Sequence, residues 1–281
     1  MRIRVAHDTL YRYERPAKSV IQTLRLTPRS HDGQHIVRWR ITVDQDVRLS
    51  ESEDAFGNVT HVFSAAGTIE EMHVRVEGEV ETHDRAGVVR GVIERFPVSL
   101  YLRETALTQA DEAIRDFAQA VAGNEGSPLG AAHALMQAIH ERVAFVSDPK
   151  QAATTITEAF GAGRGICQDM AHLFIACARQ LGIPARYVSG LLYRPGGEEA
   201  SANANHAWAE AHIDGLGWIG FDPSLELCPM ECHIRVAAAL DYLGAAPMRG
   251  AYYGGDGEKL DVKFEISERS PRSQAQHQSQ G

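Results

Sequence analysis

The hydrophobic period of this chain changes near residue 100, and that change decides its fold class. Before it, apolar and polar residues alternate. H-I-V-R-W-R-I-T-V-D (His35 to Asp44) sets Val37, Trp39, Ile41 and Val43 on one face and Arg38 and Arg40 on the other. M-H-V-R-V-E-G-E-V alternates likewise through Met72, Val74 and Val76, and D-A-F-G-N-V-T-H-V-F (Asp54 to Phe63) adds a Gly-Asn turn and another strand. Period two marks half-buried strands. Several in a row with no helical stretch predict an antiparallel β-sandwich-like domain over residues 1–100. His61 and His73 lie inside alternating runs and read as structural.

After residue 100 helical spacing takes over. Thr108 with Asp111 three residues on predicts a capping box, followed by a stripe of Ala110, Ile114, Phe117, Ala118 and Val121 that Gly123 ends. Ser127-Pro128 predicts a second helix, with Leu129, Ala132, Leu135, Met136, Ile139 and Val143 inward and His133 and His140 at the surface or core edge. Strand patterns then return at Ala185 to Tyr193, His206 to Ile213, Gly217 to Pro223 and, strictly alternating, Lys259 to Ile266. The class is α+β: a β domain (1–100), a second unit (101–268) and a polar, low-complexity tail (269–281) expected to be disordered.

Charge narrows the partners. The net charge is −9, and residues 1–100 carry 14 basic and 15 acidic side chains against 14 and 22 in the remainder, so the acidity belongs to the second unit. Neither nucleic acid nor an anionic membrane is an expected partner. The opening M-R-I-R-V-A-H-D-T-L-Y alternates like a strand and lacks a signal peptide's apolar region. With four cysteines and no export signal, the expectation is a cytoplasmic protein with free thiols.

One of those thiols is placed for chemistry. Gly161, Gly163 and Gly165 lead into I-C-Q-D-M-A-H, and the helical pattern from Cys167 runs to Leu181, with Gly182 and Pro184 as its stop. A thiol in a helix's first turn sits beside unpaired N–H groups and the positive end of the macrodipole, which both favour the thiolate. Glycines let backbone approach a substrate closely. A buried core thiol is the ordinary alternative for a cysteine, and it is the reading for Cys177, which falls on the stripe with Leu173, Phe174 and Leu181.

A nucleophilic thiol needs a base and the base an orienting group. In H-A-W-A-E-A-H-I the even residues His206, Trp208, Glu210 and His212 share one face; in the next strand Trp218, Gly220 and Asp222 do. A two-residue turn at Gly215-Leu216 would put His206 and Asp222 on opposite faces. A three-residue turn (Asp214 to Leu216) pairs 213 with 217, hence 208 with 222, and leaves Asp222 diagonal to His206 on one face. The odd-length turn is the expectation.

Together, G-I-C-Q-D-M-A-H, R-Q-L-G-I-P-A-R-Y-V-S-G, H-A-W-A-E and G-W-I-G-F-D-P-S resemble the transglutaminase-like superfamily of papain-type cysteine enzymes. The Y-R-Y…L-R-L-T-P-R pattern from Tyr11 to Arg29 is similar to the bacterial branch with an N-terminal β-region. The resemblance implies a papain/transglutaminase-like core of helices packed on an antiparallel sheet. It implies Cys167 as nucleophile, His206 as general base and acid, and Asp222 as the orienter of His206. It further implies acyl transfer on a peptide or carboxamide, hydrolytic (a peptidase or amidase) in preference to amine transfer by a transglutaminase or to a non-catalytic module that keeps the fold. The partner is then a peptide or protein substrate, with no cofactor. The Cys167 N–H is the natural oxyanion donor; Gln168, one residue on, is expected to turn away. Where the family continues Asp-Pro with Thr-Asn, this chain has Ser224-Leu225.

Asp169 and Glu210 read as buried polar supports, Trp208 and Trp218 as packing. C-P-M-E-C-H offers Cys228, Cys232 and His233 to a zinc ion, but lacks a convincing fourth ligand, so no metal is expected.

Overall fold

The computed structural model describes residues 1–147, 155–195 and 204–268. The expected tail (269–281) lies outside the described residues, as do most of the loop from Arg194 to Asn205 and of the stretch after Ser147.

Alternation builds the first layer. β1 (Arg2–Thr27) buries Ile3, Val5, Tyr11 and Tyr13 on one face. β2 (Gln34–Val43) and β3 (Ser50–Glu53) both pair antiparallel with β4 (Val59–Thr82), which itself pairs with β1. Met72, Val74 and Val76 are buried as the alternation requires. Val37 is not: a register break between Ile36 and Arg38 makes it the extra residue of a bulge, 39% exposed, while Ile36 and Trp39 pack inward. The layer is one six-stranded sheet whose β1–β4 pairing breaks between Arg12 and Ala17, and both halves feed one cluster around Tyr11, Leu24, Phe63 and Met72.

The helical half begins after β5 (Val88–Val89). α1 (Glu112–Ala122) starts three residues later than Thr108 implies: Asp111 is the N-cap, its Oδ1 accepting from Ile114 N–H at 2.9 Å. Thr108 is buried, and its hydroxyl accepts instead from Arg179 at 2.7 Å. α2 (Pro128–Arg142) is capped by Ser127 and buries Ala132, Leu135, Met136 and Ile139. His140 sits at its edge, 2.9 Å from the Pro223 carbonyl. Then come β6 (Ala144–Phe145), α3 (Ile156–Ala162), β7 (Arg164–Gly165) and α4 (Cys167–Gln180), β6 and β7 forming a parallel pair.

A second antiparallel sheet supports these helices. β8 (Ala185–Leu192), β9 (Asn205–Ile213), β10 (Gly217–Phe221) and β11 (His233–Ala239) lie in the order β11-β8-β9-β10-β5. Ala207, Ala209, Ala211 and Ile213 pack with Leu173, Phe174 and Cys177 of α4 in one apolar cluster. Among the described residues no helix is long and apolar enough to cross a membrane.

Sheet membership cuts across the sequence division at 100. Beyond the short α5 (Tyr242–Ala245), β12 (Met248–Tyr253) and β13 (Asp256–Glu268) return to the first sheet, pairing with the second and first halves of β1. β5, from the first hundred residues, edges the second sheet. Two side-chain amides join the layers. Gln34 exchanges bonds of 2.8 and 2.9 Å with the Arg235 backbone, and Asn58 exchanges bonds of the same lengths with Ala238. Each amide presents one donor and one acceptor, as a backbone rung would. Ile3, Val5 and Val80 pack with Leu191, Ile234 and Val236 behind them.

Candidate active site

The approach to α4 is shaped by two glycines. Gly163 ends α3 at φ 64°, a left-handed conformation that disfavours side chains. Gly165 is needed for space: an added Cβ would lie 2.9 Å from Asp169 Cβ. Asp169 is close because its carboxylate accepts the Ile166 N–H at 3.0 Å, tying the incoming chain to the first turn. Gly165→Ala is therefore expected to cost roughly 1–3 kcal/mol, read by denaturant unfolding, and to slow alkylation of Cys167 by displacing that turn. Asp169, 5% exposed, is the polar support the sequence implies.

Cys167 opens α4 half-buried, whereas Cys177 in the same helix is buried and its thiol is pushed up to about 12 by burial. The hairpin delivers the other two residues. β9 and β10 pair Ile213 with Gly217 and Phe221 with Ala209, the register of a three-residue turn. His206 and Asp222 meet: His206 Nε2 lies 2.5 Å from Asp222 Oδ2, which leaves Nδ1 as the ring nitrogen available to Cys167, a neighbour in the same cleft.

Burial alone would lower the pKa of His206; Asp222 and Cys167 outweigh it and raise it to about 9, so the ring is an imidazolium at neutral pH. Asp222 has no exposure. Burial opposes its charge, but His206 and the other donors hold its carboxyl far below the ordinary range. Its Oδ1 accepts from the Ser224 N–H (3.0 Å) and hydroxyl (2.7 Å).

The thiol faces a cleft of about 450 Å³, within the size range of small-molecule and peptide sites. Cys167, Tyr187 and His206 line it; Val262 and Phe264 of β13 line it too, so the first sheet helps to form the cleft. Gln168, expected to turn away, lines the same cleft beside Cys167.

The Transglutaminase-like superfamily profile matches residues 115–223, and the Bacterial transglutaminase-like N-terminal region matches residues 3–81. An uncharacterised protein of Mycobacterium leprae is 30% identical, over 95% of this chain and 98% of its own. The chain belongs to the bacterial transglutaminase-like family. An uncharacterised Mycobacterium tuberculosis protein is 26% identical over 94% of this chain and 92% of its own. A candidate cysteine protease from Cytophaga hutchinsonii, known as a crystal structure, superposes with a TM-score of 0.76 at 21% identity, covering 95% of this chain and 90% of that one. At that identity the match speaks for the fold.

In this transglutaminase-like protein the Ser224 hydroxyl serves Asp222, so the change from the family's threonine keeps the group that bonds the carboxylate. Glu210 is the buried support expected, held by Arg186 at 2.6 Å and Arg235 at 2.7 Å. Trp208 stacks edge-on against His233, and Trp218 lies under the Arg186 guanidinium at 3.9 Å, both packing as expected.

Two participants were not legible from spacing. Tyr187 of β8, 2% exposed, lines the cleft with Cys167. His233, weighed beside Cys228 and Cys232 as a zinc ligand, turns to Asp222, its Nε2 3.3 Å from Oδ2. His206, Asp222 and His233 offer ligand atoms within 4.8 Å of one another. However, His233 Nδ1 accepts the Met230 N–H at 3.2 Å, so its proton resides on Nε2 and that atom donates. As held, His233 offers no lone pair to a metal.

Proposed function

We propose that this protein is a cysteine-dependent acyl-transfer enzyme that cleaves peptide or carboxamide bonds through Cys167, His206 and Asp222. The observation that carries the reading is the 2.5 Å bond between His206 and Asp222 beside a half-buried thiol at a helix start. The Cys167 thiolate, paired with the His206 imidazolium, attacks the carboxamide carbon and forms a carbon–sulfur bond. The carbonyl oxygen becomes an oxyanion facing the Cys167 N–H, one of the first-turn groups with no helical acceptor. Collapse breaks the carbon–nitrogen bond, and the leaving amine takes the His206 proton. Water then adds to the thioester, giving its proton to His206, and the thiolate leaves with release of the carboxylic acid. Asp222 stays ionised throughout and fixes the ring.

Hydrolysis is the preferred outcome, with amine transfer as the second reading: an amine replacing water at the thioester follows the same steps. The four free thiols suit a reducing, cytoplasmic setting. The test is turnover of a set of peptide amides with and without an added primary amine, run beside Cys167→Ala. Release of acid by the wild type and its loss in the variant, by roughly 10³-fold or more, is the expected result. Equal rates in both proteins would end the enzymatic reading; faster amine incorporation than acid release would make the protein a transferase.

A further inference from the structure

Asp222 serves two histidines, not one. His206 Nε2 and His233 Nε2 approach the same oxygen, Oδ2, at 2.5 and 3.3 Å, while Ser224 occupies Oδ1 with two bonds. A carboxylate offers about four lone-pair sites, and here all four are engaged. His233 is itself fixed. Its Nδ1 receives the Met230 N–H at 3.2 Å and lies 3.3 Å from the Cys232 thiol, and its ring sits edge-on to Trp208 with centroids 5.4 Å apart. It is 6% exposed, at the start of β11, and touches neither the cleft nor Cys167.

We infer that His233 is a positioning residue that sets the acidity of His206 by sharing Asp222 Oδ2. A donor on that oxygen draws negative charge away from the His206 proton. The imidazolium is then held less tightly than it would be by a carboxylate serving it alone, and gives its proton to a leaving amine more readily. His233 does this as a neutral ring: burial, together with the neighbouring imidazolium, opposes a second positive charge, against the pull of Asp222. The groups facing it are Asp222, His206, the Met230 N–H, Cys232 and Trp208. The pair of histidines thus carries one positive charge against one carboxylate.

The inference rests on the nucleophile–base reading, and its test is chosen to be read without turnover. Nitrogen-15 histidine NMR of the full chain follows the His206 titration in the wild type, His233→Leu and His233→Gln. Leucine removes the donor; glutamine restores an N–H on a side chain of similar reach. The expected result is an upward shift of the His206 pKa in the leucine variant, by about half a pH unit or more, with glutamine returning it toward the wild type. On an amide substrate the leucine variant should lose kcat at unchanged KM. Thermal melting of each variant separates this from a loss of fold. A His206 titration that does not move or moves downward in a folded leucine variant, or a glutamine variant indistinguishable from leucine, would overturn the inference. Absence of amide cleavage in the wild type would instead count against the enzymatic reading, with the NMR titration still deciding the role of His233.

Discussion

Asp222→Asn is expected to cut amide turnover by roughly 10²–10⁴-fold and to lower the His206 pKa from about 9 to below the ordinary 6.5. Burial disfavours the charge on His206, and the Asp222 carboxylate is the largest opposing influence. An amide keeps the volume but loses the charge and turns an NH₂ toward one of four donors. Burial then wins, the ring is neutral at pH 7, and Cys167 loses its cationic partner. The fold should survive, weakened by about 1–3 kcal/mol for the unsatisfied donor. A pH profile of iodoacetamide labelling at Cys167 reports the first effect and denaturant unfolding the second. Unchanged labelling across pH 5–9 in the variant would show that Asp222 does not control His206.

The second large effect is on stability. Glu210→Gln is expected to destabilise the protein by about 3–5 kcal/mol. Glu210 has no exposure, and it lies between Arg186 and Arg235, both inward from the surface. Arg186 also pairs with Glu94 at 2.9 Å, and the Arg235 backbone is the rung that Gln34 completes, so the carboxylate anchors the joint between the two layers. Removing its charge takes from Arg235 the carboxylate it pairs with and leaves the buried Arg186 with Glu94 alone. The same group gives a pH dependence. Burial raises its pKa, but the two arginines prevail and depress it from 4.5 to about 2. A group depressed on folding contributes stability that is complete above its unfolded value and is lost as pH falls from about 4.5 through about 2. Acid unfolding should therefore shift to higher pH as this pair weakens, and Glu210→Gln should flatten the stability profile in that window. A variant as stable as the wild type at pH 7 would contradict this role.

The site was legible in the sequence where local pattern settles geometry. Side-chain alternation and turn length fix which residues of a hairpin share a face, so the choice of a three-residue turn over a two-residue one was enough to bring His206 and Asp222 together, and the register bears that choice out. Gly163 and Gly165 read in the sequence as room for a substrate to approach the backbone; in the structure one takes a left-handed turn and the other makes room for Asp169. What escaped depends on contacts between distant segments. Thr108 has the spacing of a helix cap, but a buried Arg179 claims its hydroxyl. Val37 fits the alternation until a bulge removes it. Lys259 to Ile266 reads as a strand, yet nothing local says that it pairs with β1 and carries Val262 and Phe264 to the cleft. His233 beside Cys232 has the look of a metal motif; only the Met230 N–H on Nδ1 makes it a donor to Asp222.

The central claim is that Cys167 is an activated nucleophile paired with a charged His206. Limited iodoacetamide labelling at neutral pH, read residue by residue by mass spectrometry, tests it most directly, because Cys177, Cys228 and Cys232 in the same chain have thiols that burial pushes up. Cys167 is expected to label first, at a rate that departs from that of a free thiol as pH passes about 9, where His206 loses its proton. A Cys167 that labels no faster than Cys228 or Cys232, with a rate climbing through pH 9 as for an ordinary thiol, would contradict it.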